Sequence, residues 1–331
     1  MDGQHALVQR LLAQDQRCGP LIEAYGMRAG GNMTKAIGLV GCGRWGSNHL
    51  RTLQRLKAEG AIHRLVVCDI DAQKLLSIDV DATYTSMDKM LSKESLNGVA
   101  IVTPLETHLA LVQRAFDAHL PVFVEKPLSG DDDANQRFLN GMRGNETMVV
   151  GYILRHHSGV QHLLTPEVLK RIGPVVSVSY IRRTMRSKPK GMDPLTTLAI
   201  HGLDLVAISL DANLLTFDVK EKMLEDSAAR VRLIDAQGRD ATVDVAWHAE
   251  SEVRIFEIEG VLGQASLDFG TGESTVTLHH TEPIRTNHQG DALDREWRYF
   301  LERIGKSEGH TFPSAERLLD QSRWLGLHAA R

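Results

Sequence analysis

Cysteine is scarce: 331 residues hold three, Cys18, Cys42 and Cys68, with no CxxC pair. Three thiols cannot make a disulfide framework, so a reducing, cytoplasmic setting is expected. A basic excess is also missing. The formal net charge of -4 argues against a broad nucleic-acid-binding surface. No apolar run nears the roughly 18 residues of a membrane span, and stretches such as Val99–Val102 read as buried strands. Fifteen histidines produce no HExxH, HxH or Cys/His cluster with zinc spacing, so no metal site is expected. A GxSxG elbow and a GxxxxGK[ST] loop are absent too, as are solenoid repeats and low-complexity tracts. With 42% hydrophobic and 24% charged residues the chain has globular composition, and its length allows about two domains of ~150 residues.

Residues 1–34 differ in character from the rest of the chain. Ala6, Leu7, Leu11 and Leu12 fit a short amphipathic helix, and Arg28–Asn32 reads as a flexible joint before Met33. No secretory signal is expected at the start, where Asp2 and Gln4 stand in the place of basic residues and the apolar patch is short and interrupted. The expectation is an extension, with the working protein beginning near Met33; a docking helix is the alternative. From 35 to 152, apolar runs at 36–40, 65–69, 98–103, 121–125 and 147–151 alternate with amphipathic helical stretches at 49–58 and 108–118. That alternation predicts βαβ units and a parallel sheet. Beyond 153, strand-like runs at 175–183, 216–222, 229–234, 241–248, 253–259, 264–269 and 275–280 come close together with partial two-residue alternation. They predict a mainly antiparallel sheet in an α+β domain over 153–331, with helices near 293–304 and 314–327.

Gly41-Cys-Gly43-Arg-Trp-Gly46 fits GxGxxG directly between a strand pattern and a helix pattern. The first glycine permits a tight turn, the second lets a pyrophosphate approach the backbone, and the third lets helix pack on strand. Unpaired N–H groups at the helix start then meet the anion. Asp69 ends the second strand, 23 residues after Gly46, where a carboxylate accepts ribose hydroxyls and repels a 2′-phosphate. This favours NAD; Arg44 within the loop offsets part of the repulsion, so NADP is the alternative.

Six segments then fall in one order: Gly41–Gly46, Asp69, Thr103-Pro104 with His108, Glu125-Lys126-Pro127, Gly151-Tyr-Ile-Leu-Arg155, and Ala199-Ile-His201-Gly-Leu-Asp204. Together they resemble the Gfo/Idh/MocA family of sugar oxidoreductases over about 36–328. Trp45-Gly-x-Asn48 and the Gly151–His156 stretch are most similar to enzymes oxidising nucleotide-activated amino-sugar uronates at the 3-position. The resemblance implies a dinucleotide-binding domain followed by an open antiparallel sheet whose outer face makes a homodimer or homotetramer. It implies that Gly41, Gly43, Arg44, Trp45, Gly46, Asp69, Thr103, Pro104, His108, Glu125 and Lys126 surround the cofactor. Lys126 would lie beside the nicotinamide and hydrogen-bond the hydroxyl being oxidised, with Glu125 positioning the lysine or the cofactor. A lysine suits this place, because a proton must leave the hydroxyl as hydride leaves carbon, and burial lowers an amine's pKa toward the working range.

His201 is the second catalytic candidate, since its ordinary pKa of ~6.5 suits proton exchange near neutrality. Asp204, three residues on, shares its helical face. The family carries an aspartate four residues before this histidine; here Thr197 stands there. Either Asp193 or Asp204 substitutes, or Lys126 works alone, or catalysis is weak or lost. Arg155 and His156 are substrate contacts by resemblance, with a structural crossover as the alternative. Arg182, Arg183, Arg186, Lys188 and Lys190 put five cations in nine residues. Arg183 and Arg186 are the candidates for gripping a substrate's diphosphate, against the plainer reading of a solvated edge. The expected function is NAD(P)-dependent hydride transfer at a hydroxyl of a nucleotide-activated sugar. A dehydrogenase of a free polyol such as an inositol is the alternative, and an NAD sensor or partner subunit with little turnover is the alternative of another class.

Overall fold

A computed structural model describes residues 35–189, 191–279 and 281–329. The predicted extension at 1–34, with Cys18, lies outside them, as does Lys190. In chain order the elements are β1 (Lys35–Val40), α1 (Gly46–Ala58), β2 (Ile62–Cys68), β3 (Ala82–Tyr84), α2 (Met87–Lys93), β4 (Gly98–Ile101), α3 (His108–Asp117), β5 (Val122–Glu125), α4 (Asp132–Gly141) and β6 (Thr147–Gly151). They continue with α5 (Ser158–Leu163), α6 (Pro166–Ile172), β7 (Val175–Arg183), α7 (Ile200–Ser209), β8 (Asp218–Leu224), β9 (Ala228–Ile234), β10 (Asp240–Ala246), β11 (Val253–Gly260), β12 (Gly263–Asp268), β13 (Glu273–Leu278) and β14 (Ile284–Asn287). α8 (Ala292–Arg303), β15 (His310–Phe312) and α9 (Ala315–His328) close the chain. The described residues fall into two compact units, one of 35–153 with 291–326, the other of 154–290 with 327–329.

The first unit is a seven-stranded parallel sheet in the order β15-β6-β5-β4-β1-β2-β3. β4, β5 and β6 are buried along their whole length, so their sequences run apolar without alternation, as strands covered on both faces must. α1 and α3 carry the matching apolar stripes: Leu50, Leu53 and Leu56 on one, Val112, Ala115 and Phe116 on the other. Strand order reverses direction between β1 and β4, which opens a crevice beyond their carboxyl ends.

The second unit is an eight-stranded sheet in the order β14-β13-β12-β11-β7-β10-β9-β8, antiparallel except where β10 runs parallel to β7. Along β9, β10 and β11 buried residues alternate with more exposed ones, so one face is inner. α7 lies on that inner face: a Cβ on Gly202 would come within 2.4 Å of the Tyr180 ring and 2.9 Å of Val243. Glycine at 202 is what permits this close approach.

One expectation needs correction. Residues 153–331 do not form a single domain, because 291–326 return to the first unit. α8 presents Leu293, Trp297, Phe300 and Leu301 to the core built on Phe123, Val149 and Leu53, and β15 extends the parallel sheet beside β6. Amphipathic periodicity shows that a helix needs a core to cover; it does not say which core.

Candidate active site

The carboxyl edge of the parallel sheet gathers Gly41 after β1, Asp69 after β2, Thr103 after β4, Lys126 after β5 and Gly151 at the end of β6. Gly41 has φ +101°, and a Cβ there would sit 2.2 Å from the Val102 carbonyl oxygen. A Cβ on Gly46 would meet the Gly41 carbonyl oxygen at 2.1 Å, while one on Gly43 would meet nothing within 4 Å. Two glycines therefore allow the turn and the packing, and the middle one leaves open approach to the backbone. Among the described residues, the amides of Gly43, Arg44 and Trp45 donate to no protein acceptor. Their turn opens α1 and fits a pyrophosphate.

Asp69 ties this loop to the tip of β2. Its carboxylate accepts from the Cys42 amide at 2.7 Å and the Asp71 amide at 2.9 Å, with Lys74 Nζ at 3.4 Å. A carboxylate has about four acceptor directions, so room is left for a ribose hydroxyl. Burial, reinforced by Asp69, pushes the Cys42 and Cys68 thiols up to about 11, which keeps both neutral and unreactive.

Glu125 is the electrostatic centre of the edge. It is buried, and its carboxylate accepts from Trp45 Nε1 at 2.6 Å, from His49 Nε2 at 3.0 Å and from the Lys126 amide at 3.1 Å. Trp297 Nε1, on α8, donates to His49 Nδ1 at 3.1 Å. An indole N–H only donates, so Nδ1 must accept and the His49 proton sits on Nε2, aimed at Glu125. Burial alone would raise the Glu125 pKa. The His49 hydrogen bond, with the charge of Lys126 and the Trp45 hydrogen bond, overcomes it and holds the carboxyl below its usual range. Burial lowers the Lys126 amine below its ordinary 10.5, against an opposing pull from Glu125. Glu296, also buried on α8, is driven well above the ordinary carboxyl range by burial, Glu125 and Asp291. The two carboxyls are thus pushed in opposite directions, Glu125 toward its charged form and Glu296 toward its neutral one.

His108 braces the loops rather than lining open space. Its Nδ1 lies 3.0 Å from the Pro127 carbonyl oxygen and its Nε2 2.9 Å from that of Thr103, and the ring is buried. Thr103 Oγ1 meets Thr107 Oγ1 at 2.7 Å, and Thr107 donates to the carbonyl of Pro104, so the 103–108 loop is closed by its own hydroxyls.

In the second unit His201 is half-buried in the first turn of α7, directly after a π-helical turn at Leu195–Ala199. Asp204, on the same helix, is engaged by Arg155. The guanidinium grips it bidentately, Nε to Oδ2 at 2.8 Å and Nη2 to Oδ1 at 2.6 Å. Thr197 Oγ1 donates to the Asp193 carbonyl at 2.7 Å. Asp193 keeps one buried carboxylate oxygen, Oδ2, without a partner among the described residues, while Oδ1 caps the turn through the Leu195 amide. His156 is 2% exposed, and burial, with Arg155 beside it, pushes it down to about 3. It is a neutral interior ring, and the expected substrate contact finds no surface there. Arg183, expected to grip a diphosphate, is exposed at the end of β7. It points to the outer face and pairs with Asp244 at 2.8 Å, away from α7, because strand alternation separates it from Tyr180 and Arg182. Arg186 is exposed in the following loop, and Lys188 pairs with Asp226.

Sequence reasoning missed His49, Trp297 and Glu296. His49 was readable as an inward position of α1, but its partners come from a helix almost 250 residues away. Among the described residues no group of three potential metal ligands forms, and no helix is long and apolar enough to cross a membrane.

Residues 35–150 match the model of an oxidoreductase family with an NAD-binding Rossmann fold. The chain is 26% identical over 256 residues to inositol 2-dehydrogenase 1 of Saccharopolyspora erythraea, covering 71% of this chain and 74% of that protein. Among solved structures it resembles UDP-N-acetylglucosamine 3-dehydrogenase of Acidithiobacillus ferrooxidans, with 20% identity, a TM-score of 0.74, and 89% and 98% of the two chains covered. It also resembles a 3-ketoreductase of Actinomadura kijaniata bound to TDP-benzene and NADP, with 16% identity, a TM-score of 0.74, and 87% and 95% covered.

Proposed function

Residues 35–150 belong to the Gfo/Idh/MocA oxidoreductase family through its NAD-binding Rossmann domain, and on that premise we propose that the chain oxidises or reduces a hydroxyl-bearing carbon of a nucleotide-activated sugar. A bound nicotinamide dinucleotide supplies the hydride acceptor or donor. Everything else falls to the chain's own side chains. The Gly43–Trp45 amides hold the pyrophosphate, and Asp69 holds a ribose. Lys126 Nζ exchanges the hydroxyl proton, and burial lowers its pKa from the ordinary 10.5, which favours that exchange. Glu125, kept anionic by His49 and Trp45, fixes the charge beside that amine. His201 is the second proton-exchanging group, with Thr197 in place of a family aspartate.

The observation that supports this reading most directly is the lysine at the tip of β5, next to a buried carboxylate, on the same sheet edge as the glycine loop. Its test tracks nicotinamide absorbance with UDP- and TDP-sugars against free inositols, in the native chain and in Lys126→Ala. Turnover of a nucleotide sugar that the substitution abolishes is the expected result. Turnover of inositols alone moves the substrate to free polyols, the reading favoured by the inositol 2-dehydrogenase relative. Binding of NADH without turnover of any sugar overturns the enzymatic reading and leaves a sensor or partner subunit. The same proposal makes the protein a cytoplasmic homo-oligomer, dimeric or tetrameric through the outer face of the second sheet, which light scattering would read directly.

A further inference from the structure

Arg254 on β11 stands directly across from Arg182 on β7 in the strand register. Both side chains lie on the inner face of the second sheet, in line with Tyr180 and Phe256, the face that carries α7. Two cations side by side on adjacent strands destabilise a sheet unless something answers them. What answers them here is incomplete. Arg182 Nη1 lies 3.3 Å from Glu252 Oε2, while Oε1 of the same carboxylate accepts from Thr184 Oγ1 at 2.6 Å and the Met185 amide at 3.0 Å, so half of it serves the loop after β7. Arg254 places its guanidinium 4.5 Å from the centre of the Phe269 ring, and its buried Nε has no partner among the described residues. Burial and the charge of Arg254 push Arg182 below its ordinary value, as expected of crowded cations with too little counter-charge. On the other side of β7, Val245 is the register partner of Arg182. Two residues beyond Val245, the buried Trp247 also keeps an Nε1 donor without a partner among the described residues.

A cross-strand pair of guanidinium groups, of which Arg182 meets one carboxylate and Arg254 rests on an aromatic ring, forms a donor-rich, electropositive patch. We infer that the Arg182–Arg254 pair is the seat of the substrate's diphosphate, in place of the outward Arg183. This rests on the nucleotide-sugar reading and names the residues that make it selective. Adjacent strands ~4.8 Å apart hold the two planar forks so that each can take phosphate oxygens bidentately, and Phe269 supports Arg254 from behind. A sugar carboxylate offers the same oxyanion chemistry with half the charge, so the test must separate the two.

The test is titration calorimetry on the full chain saturated with NAD+, which keeps added diphosphate away from the glycine loop. The probes are UDP, inorganic pyrophosphate and glucuronate. UDP should bind, and Arg254→Met or Arg182→Met should each weaken it roughly ten- to a hundredfold. Methionine keeps an apolar stem beside Phe269. Arg254→Lys, which retains the charge and loses the fork, should recover part of the loss. Arg183→Met serves as the control for a lost surface charge, and NAD+ affinity should stay constant throughout. UDP binding that neither inner substitution weakens overturns the assignment while the nucleotide-sugar reading stands. Binding of glucuronate but not UDP overturns the diphosphate assignment. A chain that oxidises inositols and binds no UDP at all removes the nucleotide-sugar reading itself.

Discussion

In the first unit Glu125 carries a negative charge into a buried corner and is met there by three N–H donors, one of them a histidine whose tautomer is set by Trp297. In the second unit Arg182 and Arg254 carry positive charge to the inner face of a sheet, where, among the described residues, Arg182 meets the Glu252 carboxylate and Arg254 meets only the Phe269 ring. Both arrangements cost desolvation energy, and they recover it differently. A network satisfied within the protein is rigid before any ligand arrives and is suited to chemistry that depends on fixed geometry. One left short of acceptors gains most when an anion binds, and suits recognition. On the proposed function the contrast separates the step from the substrate: Lys126 and Glu125 would serve any hydroxyl, and the arginine pair would discriminate among molecules that carry one.

Removing the reacting amine is the severest way to probe the satisfied half. Lys126→Ala should lower kcat by about 10²–10⁴-fold, the usual range for a lost general acid–base. NADH affinity, read by fluorescence titration, should change little, because the glycine loop and Asp69, the proposed holders of pyrophosphate and ribose, lie elsewhere on the edge. A loss of NADH binding equal to the loss of rate would make Lys126 a cofactor anchor and dissolve the distinction.

Glu125→Gln asks whether the buried charge governs the amine. The carboxylate raises the Lys126 pKa while burial lowers it, with a net value below 10.5. If oxidation uses the neutral amine, kcat/KM rises with pH through that pKa. Deleting the negative charge removes the upward pull, so the rising limb should move to lower pH by about one unit or more. An unmoved or upward-shifted limb would show that Glu125 acts only as a structural strut.

Much of the first half was legible in advance, because its signals are local. The glycine spacing, the carboxylate at the tip of β2 and the unbroken apolar strands each come from a few consecutive residues and one backbone rule. β3, β14 and β15 went unread: they are three or four residues long and lean on neighbouring strands for their hydrogen bonds. The partnership of His49 with Trp297 was equally hidden, since it depends on α8 returning to the first unit. In the second half, alternation located the strands but not their phase relative to the run of cations. Arg182 and Arg183 are adjacent in sequence and lie on opposite faces, so a charge cluster read as one patch divides into an inner and an outer group. Arg254 gave no signal, because a lone arginine in a strand acquires meaning only from the residue across the ladder.

Trp297→Phe tests the outer layer of the satisfied network. Stacking on Phe123 is largely preserved, with ring centroids 5.2 Å apart in the native chain, but the donor to His49 Nδ1 is lost. His49 can then take either tautomer, and one of the two withdraws the proton from Glu125. The expected cost is about 1–2 kcal/mol of stability by urea denaturation, with kcat reduced about three- to tenfold. A stability loss without any change in rate would limit the network to holding the fold.

The smallest expected effect is also the one that bears most directly on the contrast between faces. Arg183 is half-exposed, paired with Asp244 on the outer side of the sheet, and exposed ion pairs of this kind contribute about 0–1 kcal/mol. Arg183→Ala should therefore change stability by less than about 0.5 kcal/mol and leave KM for a nucleotide sugar within about twofold. Its neighbour one residue earlier, Arg182, faces the other way and should respond far more strongly, although the two substitutions remove the same charge from adjacent positions. Charge alone would make them equal; the two-residue period of the strand makes them different. Equal effects on KM would mean that long-range attraction, and not the inner face, selects the anion. That attraction would fade with added salt, so repeating both measurements at high ionic strength separates the two physical causes.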